Sequence, residues 1–389
     1  MAEVGKEAAE RVGGAGGGMV TLFLCGDVMT GRGIDQVLPH PGSPRLHEPY
    51  VKSAVDYVGL AEQASGPISR PVDFAYIWGD GLEALARAAP DARIVNLETA
   101  ITTVDAPWPG KGIHYRMHPD NLPCLAAARV DCCVLANNHV LDWGYGGLAQ
   151  TLTSLRGAGM RTAGAGADAS QAAAPAVLDL GAKGRVLVFA LGTESSGIPP
   201  QWAATPQGPG VALLPDLSER TLTALAGRIA ALRRPGDLVV ASIHWGSNWG
   251  YAIPQEHRRF AHGLVADAGV DVVHGHSSHH PLALEVFRER LILYGCGDLI
   301  NDYEGIEGRE QYRSDLALMY FPVLEAGSGR LLRLAMAPMR RRRFRLNRPA
   351  AEEAQWLAGT VNREAGRFGA GARVGADGWL ELVWSGRPA

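Results

Sequence analysis

The feature that most constrains this chain is a recurring unit: a short apolar run, a polar turn, then a stretch with helical spacing. "VTLFLC" (20–25) ends in Gly26-Asp27, "ARIV" (92–95) in Asn96-Leu97-Glu98, and "CCVLA" (132–136) in Asn137-Asn138-His139. "LVVASI" (238–243) ends in His244-Trp245-Gly246, "VDVV" (270–273) in His274-Gly275-His276, and "LILYGC" (291–296) in Gly297-Asp298. Uninterrupted apolar runs of this length suit strands buried on both faces. Helical spacing lies between them, at about 81–88, 119–128, 146–157, 217–233 and 254–268. The alternation predicts an α/β protein, whose ligands sit outside the carboxyl ends of the strands, where these polar turns fall. Further strands are expected at 175–179, 186–191, 283–288, 315–323 and 331–338, with a helix near 350–366 and a last strand near 378–384. Residues 38–80 and 101–118, rich in Pro, Gly and aromatics, read as long loops over a site.

With 389 residues, 47% of them hydrophobic, the chain can bury a large core. No repeat or long linker divides it, so a single domain over 19–389 is expected, with 340–389 as a C-terminal appendage of helix and strands. The charged, Gly-rich residues 1–18 read as a disordered extension without the apolar stretch of a signal peptide. Nothing approaches the roughly 20 apolar residues of a membrane helix, so no membrane anchor and a cytoplasmic location are expected. A net charge of −3 gives no global attraction to nucleic acid or anionic membranes. Five cysteines without CxxC spacing read as reduced thiols rather than a disulfide frame or zinc knuckle. The oligomeric state is not legible.

The strand ends collect Asp27, Glu98, Asn138, His139, His244, His276, His279 and His280. Taken singly, each has a plain reading: a strand-end His braces a turn, and an Asp after a strand caps a helix. Together they deliver carboxylate, amide oxygen and imidazole to one sheet edge, a donor set suited to divalent Mn, Fe or Zn.

The ordered motifs "CGDVM", "VNLET", "ANNHVLDWG", "IHWG" and "GHSSHHP" resemble the CapA family of poly-γ-glutamate capsule synthesis, itself similar to the calcineurin-like metallophosphatases. The resemblance runs from about Val20 to about Tyr303. It implies an α/β fold of calcineurin-like metallophosphatase type, a β-sandwich flanked by helices in four layers, α/β/β/α. It also implies metal ligation by Asp27, Glu98, Asn138, His244, His276 and His279. Two departures stand out. Met29 occupies the place of a phosphatase histidine, and a thioether is a poor ligand for a hard divalent ion. Glu98 stands where phosphatases use Asp. One or two divalent ions are therefore expected, one firmly held and the second weaker.

In the family the residue at His139 stands beside the metal and serves as general acid or base. Asp142, three residues on, is expected to orient the imidazole and raise its pKa; the plain alternative is a braced turn and a helix cap. The loop "GKGIHYRMHP" (110–119) carries Lys111, His114, Tyr115, Arg116 and His118; Arg116, with Tyr115, is the expected contact to an anionic substrate. His280 and Asp298 are expected near the site, His274 on the opposite face of its strand. Trp143, Trp245 and Trp249 wall the pocket or pack. The run "RRRRFRLNR" (340–348) reads as a solvated edge or, alternatively, an anion-binding surface. The leading expectation is a metal-dependent hydrolase acting on a phosphoester or a peptide-like, anionic small substrate. The alternatives are a metal-dependent peptide epimerase and a non-catalytic accessory in polymer assembly.

Overall fold

A computed structural model describes residues 18–385, in an α/β arrangement built on two stacked sheets. The larger sheet runs Ala370–Val374, Leu380–Trp384, Leu331–Arg342, Leu316–Glu325, Met19–Val28, Ala92–Leu97, Cys132–Val134 and Arg161–Ala163; Asp298–Ile300 and Arg345–Asn347 add to it. The second, six-stranded sheet runs Leu284–Phe287, Arg290–Leu293, Val272–His276, Leu238–His244, Arg185–Gly192 and Ala176–Asp179.

Alternation along the apolar runs explains the stacking. In Met19–Val28, Val20, Leu22 and Leu24 join a core shared with Val188, Val240 and Val272 of the other sheet. Phe23 and Cys25 point the opposite way, into a core with Leu85, Leu125 and Leu148 from outer helices. In Leu238–His244, Val239, Ala241 and Ile243 pack under Leu225, Phe260 and Leu264 of the helices Glu219–Leu232 and Gln255–Ala266. A strand apolar on both faces must be covered on both, so each sheet buries one face on its partner and one on helices. The result is the four-layer α/β/β/α order. Each Leu or Val so enclosed contributes about 1.5–3 kcal/mol.

Most expected helices and strands form near their predicted bounds, including Gly81–Ala88, Gly144–Gly157 and Ala351–Ala365. The expected loop over 38–80 is different: it contains the helix Ala54–Ser65, capped by the Ser53 side chain, which accepts from Val55 N. Only Ala54, Tyr57, Val58 and Ala61 of this helix are buried, a stripe narrow enough to pass for loop composition. The C-terminal segment supplies the edge strand Ala370–Val374 and its neighbour Leu380–Trp384, while Leu357 and Val361 enter the inter-sheet core. The extension expected over 1–18 lies outside the described residues except for Gly18. Among the described residues, no helix is long and apolar enough to cross a membrane.

Candidate metal centre

The strands that carry the chemistry are parallel neighbours, so their carboxyl ends coincide. Leu238–His244 and Val272–His276 pair in register with His244 opposite His276. Even-numbered positions in both face the other sheet, so Ser242, His244, His274 and His276 follow Val240 and Val272 onto the inner face. His274 is thus on the same face as His276, not the opposite one, because residues two apart in a strand share a side.

Asp27 reaches this space by a different device. The register of Met19–Val28 against Ala92–Leu97 shifts between Cys25 and Asp27, a bulge that pairs Asp27 with Asn96. Without the extra residue Asp27 would follow Cys25 onto the helix-covered face; the bulge turns it inward. Gly26 permits this, since a Cβ there would lie 1.9 Å from Gly297 O. Asp27 also pairs with Asp298 on the strand Asp298–Ile300.

Two donor groups converge, each with its ligand atoms within 4.8 Å: Asp27 with His244 and His276, and Asp27 with His279 and Asp298. Asp298 therefore joins the candidate donors, in the group that lacks an imidazole from position 29. Met29 is fully buried, with its sulfur 3.7 Å from the Tyr303 hydroxyl. Glu98 stands against Asp27, its Oε1 3.8 Å from both His244 Nε2 and His139 Nε2. Asn138 meets His244 Nε2 through Oδ1 at 3.2 Å. Asn137 braces the turn, accepting from His139 N and Val140 N and donating to Asn96 and Leu97.

The hydrogen bonds fix the imidazole tautomers. His274 Nε2 lies 2.8 Å from Cys25 O, which can only accept, so this nitrogen carries the proton. Its Nδ1 must then accept from the Ser242 hydroxyl at 3.0 Å. Ser242 Oγ, having donated, accepts from His276 Nε2–H at 2.8 Å. His276 Nδ1 is left with a bare lone pair. His244 Nε2 lies 3.2 Å from Asn138 Oδ1, and in the tautomer that donates there its Nδ1 is bare as well. The two Nδ1 atoms face each other 2.8 Å apart, a carboxylate oxygen of Asp27 lies within 4.8 Å of the imidazole ligand atoms, and Asp27 Oδ2 is buried without a hydrogen-bond partner. Burial holds His274 at about 4 and drives His244 and His276 well below the ordinary value, so all three are neutral. Imidazole lone pairs gathered against a buried carboxylate oppose one another unless a proton or a cation lies among them. This is the donor chemistry of a divalent-ion site, and the residues fit one.

The carboxylates agree. Burial, then the neighbouring Asp298 charge, pushes Asp27 up to about 7; burial and Asp27 raise Glu98. Burial also works against charge on His279 and Asp298, but their 2.8 Å contact outweighs it, raising the histidine and lowering the acid. Crowded acids of this kind hold a proton between them, and a divalent cation reverses that balance.

His139 lies at the rim. Its Nδ1 lies 2.7 Å from Asp142 Oδ2 and 3.0 Å from Lys111 Nζ; donation to the nearer carboxylate leaves Nε2 turned toward Glu98. Lys111 Nζ stands 2.5 Å from Asp142 Oδ1, and Tyr115 N donates to Oδ2 at 2.6 Å. Burial pushes Asp142 up, but His139 and Lys111 prevail and hold it below its usual value. Burial, the largest influence, lowers His139 to about 4; Asp142 pulls it upward, as expected, but does not outweigh burial. The Tyr115 ring packs edge-on to His139 at 4.4 Å.

Arg116 is not gathered with these groups. Tyr115 ends the loop and Arg116 opens the short strand Arg116–Met117, and their side chains go to different neighbours. The guanidinium donates to Val104 O and Asp105 and lies 3.8 Å over the Trp143 ring. From the same loop Lys111 reaches the centre instead; its only sequence signal was its place in a cationic cluster. Arg32 lies 4.5 Å over Tyr115 and is held by Asp302 and Glu48. His280 accepts from Gly250 N and stacks on Tyr312, bracing a loop. Trp249 packs on His279 at 5.2 Å, whereas Trp143 and Trp245 are core residues.

A two-sheet α/β frame that gathers carboxylates and bare imidazole nitrogens at its strand ends defines a protein with a candidate divalent-cation centre. Residues 21–303 match the family described as bacterial capsule synthesis protein PGA_cap, and the chain belongs to that family. It is 48% identical, over 94% of its length and 96% of the relative's, to a Mycobacterium tuberculosis protein named probable polyglutamine synthesis accessory protein. It is 26% identical to the PGA biosynthesis protein CapA of Bacillus subtilis, over 80% of this chain and 70% of that one. A solved phosphatase structure from Mycoplasma pneumoniae matches 86% of this chain and 96% of its own, with a TM-score of 0.43 and 13% identity.

Proposed function

We propose that this member of the capsule synthesis family is a metal-dependent hydrolase of an anionic phosphoester or peptide-like small substrate. The observation that carries the reading is the convergence of the buried Asp27 carboxylate with the His244 and His276 imidazoles, whose ligand atoms lie within 4.8 Å of one another. One ion would be held by Asp27, His244 and His276, with Glu98 and Asn138 beside it. A second, more weakly held, would fall to Asp27, His279 and Asp298. A divalent ion there supplies a Lewis acid for a carbonyl or phosphoryl oxygen.

The chain's own residues do the rest. His139, neutral and protonated at Nδ1 by its bond to Asp142, presents Nε2 as the proton acceptor facing the centre. Asp142 holds that tautomer, and Lys111 keeps Asp142 ionised. Tyr115 and Tyr303, joined hydroxyl to hydroxyl at 3.0 Å, wall the approach and limit water. Tyr115 is the substrate contact kept from the sequence; Arg116, held by Val104 O, Asp105 and Trp143, is not part of it.

The test is metal analysis with assays on phosphomonoesters and glutamyl peptides, run on wild type and His244→Asn. Stoichiometric Mn, Fe or Zn in the wild type alone, with product release following it, supports the reading. A wild type that takes up no divalent ion sinks it and leaves the accessory role that the mycobacterial relative's name describes. Metal uptake with deuterium incorporation into an unhydrolysed peptide would instead indicate epimerisation.

A further inference from the structure

Beside the candidate centre lies a cavity of about 350 Å³, lined by five arginines against three carboxylates. Its wall is shared with the site. Asn301 donates to Asp298, and the Tyr303 ring packs edge-on to His279 at 5.4 Å. Arg309 stands over Trp249, whose other neighbours include the same histidine.

Two of the arginines, Arg313 and Arg340, are neutralised by Asp315 and Glu353. The other three are not. Among the described residues, Arg309, Arg341 and Arg342 have no carboxylate within 4.0 Å. Arg341 is the most telling, being only 6% exposed. Its terminal nitrogens donate to the main-chain carbonyls of Asp298, Ser314 and Leu316, and its Nε is buried without a partner. Glu304, which could have served it, accepts from the backbone of Arg343 and Phe344, and Glu310 accepts from Gly308 N. The carboxylates of Asp298 and Asp315 act on this buried guanidinium through space but form no ion pair with it, so its immediate shell is carbonyl oxygens and one unpartnered Nε–H, a costly arrangement that an anion would complete.

We propose that this cavity is an anion subsite, in which Arg309, Arg341 and Arg342 receive a carboxylate or phosphate group of the molecule whose reacting bond lies at the metal centre. This assignment rests on the hydrolase reading for the reacting bond, and on the cavity alone for the anion. Planar guanidinium forks suit either oxyanion, so the chemistry is shared and the source is decided by measurement. It also divides the run at 340–348 by function. Arg341 and Arg342 line the cavity, whereas Arg345 and Arg348 pair with Asp80 and Glu83.

The experiment is calorimetric titration of the full chain at low salt with two probes, triglutamate and a phosphomonoester. Wild type and the Arg309→Ala/Arg342→Ala double variant are compared; both replaced residues are exposed, so folding should be kept. Wild type is expected to bind one probe with marked salt dependence, which names the oxyanion, and the double variant at least tenfold more weakly. The Lys/Lys counterpart should recover part of the loss. Chelator-treated wild type, with no ion at the centre, should still bind the same probe more tightly than the double variant does. Failure of the metal reading therefore leaves this result standing. Wild type binding neither probe, or the double variant binding as tightly as wild type, overturns the subsite.

Discussion

The two sheets bring their donors to the centre by different means. The six-stranded sheet delivers His244 and His276 through unbroken parallel register and simple alternation, a continuation of the pattern that buries Val240 and Val272. The ten-stranded sheet delivers Asp27 only by breaking its register at Gly26, and Asp298 through a short strand laid beside that break. The imidazole side is therefore robust, held by every ladder hydrogen bond before it. The carboxylate side hangs on one close approach of backbone to backbone.

Breaking the carboxylate side should have the largest effect. Asp27 belongs to both donor groups, so Asp27→Asn should abolish stoichiometric metal and slow turnover at least about 1000-fold, roughly 4 kcal/mol of barrier. Metal analysis retaining a full equivalent would contradict it. Gly26→Ala comes next. Its new Cβ has no room against Gly297 O, and a loss of about 3 kcal/mol is expected in urea unfolding. An unchanged midpoint would show that the bulge is not constrained there.

The imidazole side is sharpened by Ser242→Ala, which cuts the chain of hydrogen bonds that keeps His276 Nδ1 bare. Metal affinity, followed by competition with a chelator, should fall about 10–100-fold while the fold is kept. Equal affinity would mean the tautomer is fixed by something else. The smallest effect is expected from Lys111→Met. It leaves both donor groups intact and removes the cation held against Asp142, so turnover should drop about tenfold with metal content unchanged. A fall in metal content would place Lys111 in the structure of the centre rather than beside its proton acceptor.

How much of this was legible beforehand varies with the kind of cause. Both sheets' principal strands, and Asp27, Glu98, Asn138, His139, His244, His276 and His279 as neighbours, could be read because parallel strands end together and their terminal residues are the ones left polar. Asp298 was legible as a strand-end acid near the site, but its place with His279 depends on where a three-residue strand docks. The helix Ala54–Ser65 was hidden by a narrow apolar stripe. Arg116 and Lys111 were indistinguishable as cations in one loop. The first lies buried against Trp143, and the loop's path carried the second to Asp142.

The sequence by itself determined the α/β class, the stacking of doubly buried strands, and the identity of the groups that meet at their ends, since periodicity and burial are local properties written residue by residue. Only the tertiary structure decided which nitrogen of each histidine is bare, which side of its strand Asp27 occupies, and which arginines remain without a carboxylate. Those depend on partners far apart in the chain, such as Cys25 O for His274, Gly297 O for Gly26 and Glu353 for Arg340, and no local pattern records who those partners are.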